Sequence, residues 1–216
     1  MIKNNDAIQK LIKGHQHFYD YRFSKAPEVY QSLVREGQSP KVMVIACSDS
    51  RTDPSILFNA TPGDLFQLRN VANLVPTYAY QDHACSVSAA LVFAVDVLKV
   101  EHIIVLGHTY CGGIETLMKA EEDIHTDHQG IRDWADIAAQ AKAQTLLEHP
   151  DASFKSLCHH CERESIKQSL KNLMTHPFIA SGVEANALML HGWLFDRESG
   201  NIDAYDSSHN QFLSLS

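Results

Sequence analysis

The stretch Val42-Met43-Val44-Ile45-Ala46-Cys47-Ser48-Asp49-Ser50-Arg51 decides the fold. Its first five residues are all apolar, so they leave no polar face. Such a run reads as a short strand buried on both sides, as the strands of a parallel sheet are. The change to Cys47-Ser48-Asp49-Ser50-Arg51 marks where that strand ends. A second buried strand reads at His102-Ile103-Ile104-Val105-Leu106, closed by Gly107 and followed by His108-Thr109-Tyr110-Cys111-Gly112-Gly113. Between them, Leu65-Phe66-Gln67-Leu68 reads as a further strand, and Ala84 to Leu98 as a helix whose one charge is Asp96. Strand, helix, strand, helix is the order of an α/β fold: a mainly parallel central sheet flanked by helices.

Outward from this centre, residues 7–36 have helical spacing interrupted at Pro27, and residues 1–36 read as an N-terminal helical arm. Helices are expected over Ile131 to Leu147 and Phe154 to Met174. Leu188 to Phe195 and Ile202 to Tyr205 suggest a hairpin that turns at Glu198-Ser199-Gly200-Asn201. No repeat or low-complexity tract divides the chain, so 1–216 reads as a single domain. The net charge of −8 comes without any lysine- or arginine-rich run, which argues against nucleic acid as a partner. As a helix, Ala84 to Leu98 spans about 22 Å, short of a bilayer core of roughly 30 Å, so no membrane partner is expected. The first residues lack a signal-peptide pattern, and a cytoplasmic location is expected. Five cysteines, an odd number in such a chain, favour metal or thiol chemistry over a disulfide framework.

Chemistry in open parallel sheets gathers beyond the carboxyl ends of the strands. Two such ends would present Cys47, His108 and Cys111 to a shared point. Two cysteines and one histidine with a free fourth position make a catalytic zinc pattern, whereas four protein ligands make a structural one. Two thiolates and a neutral histidine balance the charge of Zn²⁺. Asp49 could take the fourth position and close it. A bidentate pair with Arg51 would hold the carboxylate away and leave room for water.

In order along the chain, Cys47-Ser48-Asp49-Ser50-Arg51, Arg69-Asn70-Val71-Ala72-Asn73-Leu74-Val75 and Gly107-His108-x-x-Cys111-Gly112-Gly113 resemble the β-class carbonic anhydrases. The likeness runs from about Gln38 to Phe195 and is plant-like at Gly37-Gln38-Ser39-Pro40 and Leu157-Cys158-His159-His160-Cys161-Glu162. It implies reversible hydration of carbon dioxide to bicarbonate and a proton on zinc-bound hydroxide, with Cys47, His108 and Cys111 as zinc ligands. Asp49 and Arg51 become the catalytic dyad, with Asp49 a fourth ligand only in a closed state. Gln38, Phe66, Val71, Phe93 and Gly112 fall at positions lining the substrate pocket. The resemblance also implies a homo-oligomer, a dimer or a dimer of dimers. Many members carry Tyr where Phe93 stands, and some bacterial members carry Trp at the position of Val44, where it serves an inhibitory bicarbonate site. Val44 therefore argues for an open resting site.

Cys158-His159-His160-Cys161 has the spacing of a metal knuckle, but it lies in a helical stretch without a second ligand pair, so packing is expected. Cys85 reads as a small buried hydrophobe, and Trp134 and Trp193 as core or interface residues. His125 and His128 fall in a polar stretch that reads as an exposed loop. Three other functions fit parts of the pattern: a carbon disulfide or carbonyl sulfide hydrolase on the same fold, a non-catalytic zinc-binding or redox-sensing module, and a thiol oxidoreductase using Cys158 and Cys161. Thiolates donate charge to zinc, so its water should be less acidic than the water of a three-histidine site, whose pKa is about 7. Activity is therefore expected to rise toward alkaline pH. A profile flat from about pH 6 to about pH 9 under chemistry-limited conditions would contradict a two-thiolate site.

Overall fold

The computed structural model describes residues 6–80, 85–119 and 129–215. The chain forms two compact units, Met1–Ser39 and Pro40–Ser216. The first holds helix α1 (Asp6–Tyr21) and helix α2 (Pro27–Glu36). Pro27 stands at the start of α2, where a proline costs no helical hydrogen bond. Phe18, Phe23 and Tyr30 form an aromatic cluster with ring centroids 5.2–6.4 Å apart. Neither helix contains a fully buried residue, and Leu11 and Val34 are widely exposed.

The second unit is built on a six-stranded sheet of order β2-β1-β3-β4-β5-β6. The strands are β1 (Val42–Cys47), β2 (Leu65–Asn70), β3 (His102–His108), β4 (Met189–Phe195), β5 (Ile202–Asp206) and β6 (Gln211–Ser214). β1 to β4 run parallel to one another, and the pairs β4–β5 and β5–β6 are antiparallel. Met43, Val44, Ile45 and Ala46 are fully buried, as the continuous apolar run of β1 requires. Alternate residues face two different cores. Met43, Ile45, Ile103 and Val105 enter the larger one with Val87, Leu91 and Ile166. Val44, Ala46, Ile104 and Leu106 face the other with Trp193 and Phe195.

Register matters most for the site. Cys47 pairs with Asn70, and His108 pairs with Phe195. The carboxyl ends of the first four strands thus finish at one edge of the sheet. Long helix α8 (Phe154–Leu173) packs against β3 and β4. It approaches closely because Gly107 and Gly192 lack side chains. A Cβ on either would come within 2.7 Å of Ile166.

Several elements depart from the sequence expectations. The apolar helix divides into α4 (Ser86–Val92) and a π-helical turn, Phe93–Val97. It is not buried all round: Val87, Leu91 and Ala94 are buried, whereas Val92, Phe93 and Val97 are exposed. The helix expected over 131–147 is interrupted by a 3₁₀ turn at Asp136–Ala138, which separates α6 (Gln129–Ala135) from α7 (Ala139–Glu148). The short helix α3 (Pro54–Leu57), helix α9 (Pro177–Glu184) and edge strand β6 carried too little periodicity to be read in advance. The late hairpin forms as β4 and β5, with Gly200 in the left-handed region at its turn. No described helix is long and apolar enough to cross a membrane.

Candidate metal centre

β1 ends on Cys47 and β3 on His108; two residues later the chain turns to begin helix α5 (Gly112–Met118). That turn places Tyr110 at φ 58°, an unusual conformation for a non-glycine residue, and so brings Cys111 back toward Cys47. The donor atoms of Cys47, His108 and Cys111 all lie within 4.8 Å of one another, and all three residues are buried. His108 Nδ1 lies 2.9 Å from the Thr109 carbonyl, a bond in which the ring nitrogen donates. This selects the tautomer with an unprotonated Nε2. That Nε2 is buried and has no hydrogen-bond partner.

The two thiols cannot ionise independently. Cys47 is pushed down to about 4, first by the Cys111 thiol beside it and further by His108 and the Asp49 and Ala72 backbones, against the effect of burial. Cys111 is pushed up, first by Cys47 and then by burial. One thiolate forms readily, and the second needs a cation. Two sulfurs that share one proton and an orphaned imidazole nitrogen together fit a soft divalent ion, and the donor set is that of catalytic zinc.

Asp49 stands two residues past Cys47. Its Oδ1 accepts from Arg51 Nε at 2.9 Å and its Oδ2 from Arg51 Nη2 at 2.6 Å, the bidentate pair the spacing suggested. These bonds, with the Arg51 backbone N–H at 2.9 Å, hold the carboxyl well below the usual range. Asp49 is not one of the converging donors. Gly112 is exposed at the start of α5. Gly113 is sterically required, because a Cβ there would lie 2.8 Å from Ala72 Cβ and 2.9 Å from Val71 Cγ1. Phe66 and Phe93 meet as tilted rings 5.7 Å apart. Val71 and Phe93 are each partly open to solvent. Gln38 is exposed at the end of the first unit.

Residues 42–202 match the carbonic anhydrase family. A β-carbonic anhydrase of Arabidopsis thaliana, number 3, is 39% identical over 93% of this chain and 78% of its own length. The chain belongs to the β-carbonic anhydrases. Among solved structures, the β-carbonic anhydrase CcaA superposes with a TM-score of 0.92 at 32% identity, covering 98% of this chain and 93% of the other. A β-carbonic anhydrase of the filamentous ascomycete Sordaria macrospora, described as tetrameric, shares the fold with a TM-score of 0.81 at 24% identity; the match covers 93% of this chain and 97% of that one.

Sequence reasoning assigned no role to the groups that hold the β-carbonic anhydrase loops. Arg69 donates from Nε to the Cys47 carbonyl at 3.0 Å, from Nη2 to the Asp49 carbonyl at 2.6 Å and from Nη1 to the Asp53 carboxylate at 2.8 Å. Asn70 clamps the following turn: its side chain donates to the Leu74 carbonyl and accepts from the Leu74 N–H. Buried Glu162 accepts from the Cys111 N–H at 2.9 Å and pairs with His159 Nδ1 at 3.1 Å, and burial pushes its carboxyl up. Arg197 reaches Asp49 from the end of β4. The Cys158–Cys161 segment lies on α8, and only Cys47, His108 and Cys111 form a metal-capable group among the described residues. Burial pushes the Cys161 thiol up to about 12, the state of a packed hydrophobe. Trp134 and Trp193 pack against the cores, whereas His125 and His128 lie outside the described residues.

Because Arg69 fixes the backbone on both sides of Ser48, Arg69→Met should cost about tenfold or more in zinc affinity, read by chelator competition. Affinity equal to that of the native protein would show that this clamp does not orient the ligand loop.

Proposed function

We propose that Cys47, His108 and Cys111 hold one zinc ion and that this chain uses it to hydrate carbon dioxide reversibly. The convergence of three buried donors, with His108 Nε2 left bare while the nearby carboxylate is turned onto arginines, carries the reading. Zinc held there supplies Lewis acidity toward water. Paired thiolates and a neutral His108 balance the ion's charge, so an anionic product is not held by a strong net charge. His108 Nδ1–H, engaged by Thr109, keeps the imidazole in the orientation that presents Nε2. Asp49, kept ionised by Arg51, is the acceptor that orients the reacting water. Phe66, Val71 and Phe93 are the apolar residues assigned to the lining for an uncharged linear molecule, with the Gly112 backbone as a polar contact.

The test is stopped-flow carbon dioxide hydration with metal analysis on the native protein and Asp49→Ala. The rate should fall about a hundredfold or more with zinc retained. An undiminished rate removes Asp49 from the chemistry, and a native protein without stoichiometric metal removes the whole reading. Release of sulfide from carbonyl sulfide or carbon disulfide faster than hydration would favour the sulfur-bearing substrates instead.

A homo-oligomer, a dimer or dimer of dimers, is the assembly this chain suits. Exposed Val92 and Phe93 are consecutive, Val97 follows four residues on, and a second copy would cover them. Light scattering on the purified protein should give the mass of a dimer or tetramer, and a monomer at micromolar concentration would refute the assembly.

A further inference from the structure

We infer that Arg197 is a second positioning residue for Asp49, a fixed latch that keeps the carboxylate off the cation while Arg51 is the movable one. The inference rests on the zinc reading above. Asp49 Oδ1 accepts two N–H groups, both from Arg51. Its Oδ2 accepts Arg51 Nη2 at 2.6 Å and Arg197 Nη1 at 2.9 Å. Four N–H groups therefore hold the carboxylate. Arg51 supplies three of them, so one more donor could be redundant. It is not equivalent, because the two arginines differ in how they are held.

The Arg51 side chain is 66% exposed and donates to Asp49. It comes from the same short loop, so it moves when that loop moves. The Arg197 side chain is 9% exposed and enters from the far side of the site. Its Nη2 donates to the Tyr110 carbonyl, within the loop that carries His108 and Cys111. Its guanidinium lies 5.8 Å from the Tyr110 ring centroid. Its backbone N–H donates to Thr109 Oγ1 at 3.0 Å, and the Thr109 hydroxyl in turn donates to Asp196. The Thr109 N–H continues the sheet ladder onto the Phe195 carbonyl. Arg197 thus ties the Asp49 loop to the His108–Cys111 loop through a side chain with little freedom to leave. If Asp49 turns toward the cation, the Arg197 bond must break with its guanidinium left largely shielded from water, whereas the Arg51 guanidinium regains solvent. The penalty for closing the site therefore resides mainly in Arg197.

The experiment compares the zinc-loaded native protein with Arg197→Gln and Arg197→Lys. Gln keeps a donor but no charge, and Lys keeps the charge. Zinc content is measured first, and then azide affinity for the metal by calorimetry at fixed pH, a readout independent of turnover. Azide needs the fourth position, so a site that Asp49 occupies binds it more weakly. Arg197→Gln should lose about tenfold in azide affinity at full zinc content, Arg197→Lys should recover part of it, and a crystal structure of zinc-loaded Arg197→Gln should show Asp49 on the metal. Native affinity in Arg197→Gln, with Asp49 still on Arg51, overturns the proposal. So does loss of zinc in both variants, which would make Arg197 a support of the ligand loop alone. If the native protein itself takes up no zinc, the failure belongs to the zinc reading and not to this one.

Discussion

Three soft donors meet here because β1 and β3 are adjacent, parallel and end at the same level. Met43 to Ala46 pair in step with Ile103 to Leu106, so Cys47, one residue further on, and His108, two residues further on, emerge at one edge. A slip of one residue in either strand would turn its whole apolar set to the other core and would also part Cys47 from His108. The hydrophobic pattern that selects the register therefore selects the donor geometry. Burial of the strands and assembly of the site are one constraint. β4 extends it: its end lies opposite His108 through Phe195, which delivers Arg197 to Asp49 two residues later.

Charge has to be managed at this edge. Two thiolates and a carboxylate within two residues of one of them would repel if each stood alone. The chain answers with three arginines of different attachment. Arg69 binds backbone carbonyls and Asp53 from β2, which fixes where Cys47 and Asp49 sit. Arg51 neutralises Asp49 locally, and Arg197 does so from the opposite loop. The first sets position and the other two set direction. A site built this way can carry high local negative charge without giving the carboxylate to the cation.

Much of this was legible in the sequence, and the boundary of what was legible has a physical cause. Val42 to Ala46 and Ile103 to Leu106 declare themselves because a strand buried on both faces has no other composition. Cys47, His108 and Cys111 are readable because thiols and imidazole just past such strands have few structural uses. The Asp49–Arg51 pair follows from local spacing alone. Arg197 and Glu162 are different: they lie 148 and 51 residues from their partners Asp49 and Cys111, and nothing local distinguishes them from surface charges. Arg69 and Asn70 were visible as part of a family likeness, yet their work, binding carbonyls and clamping a turn, is backbone chemistry that side-chain patterns do not display. The breaks at Phe93 and Asp136 escaped for the opposite reason. Local propensity there favours a continuous helix, and packing overrules it.

The π turn at Phe93 shows what that override accomplishes. In a regular helix Leu98 would bond to Ala94; here its N–H donates to the Phe93 carbonyl at 2.9 Å, and the Val100 N–H returns to Ala94 at 3.1 Å. The extra residue lets the chain turn through Lys99 at φ 56° and enter β3 with Val100 buried. It also leaves Phe93 and Val97, one turn apart, facing outward while Phe93 still reaches Phe66. A single ring thereby touches both the interior of one subunit and the surface that the proposed second copy would cover. Substrate lining and subunit contact would then share one element.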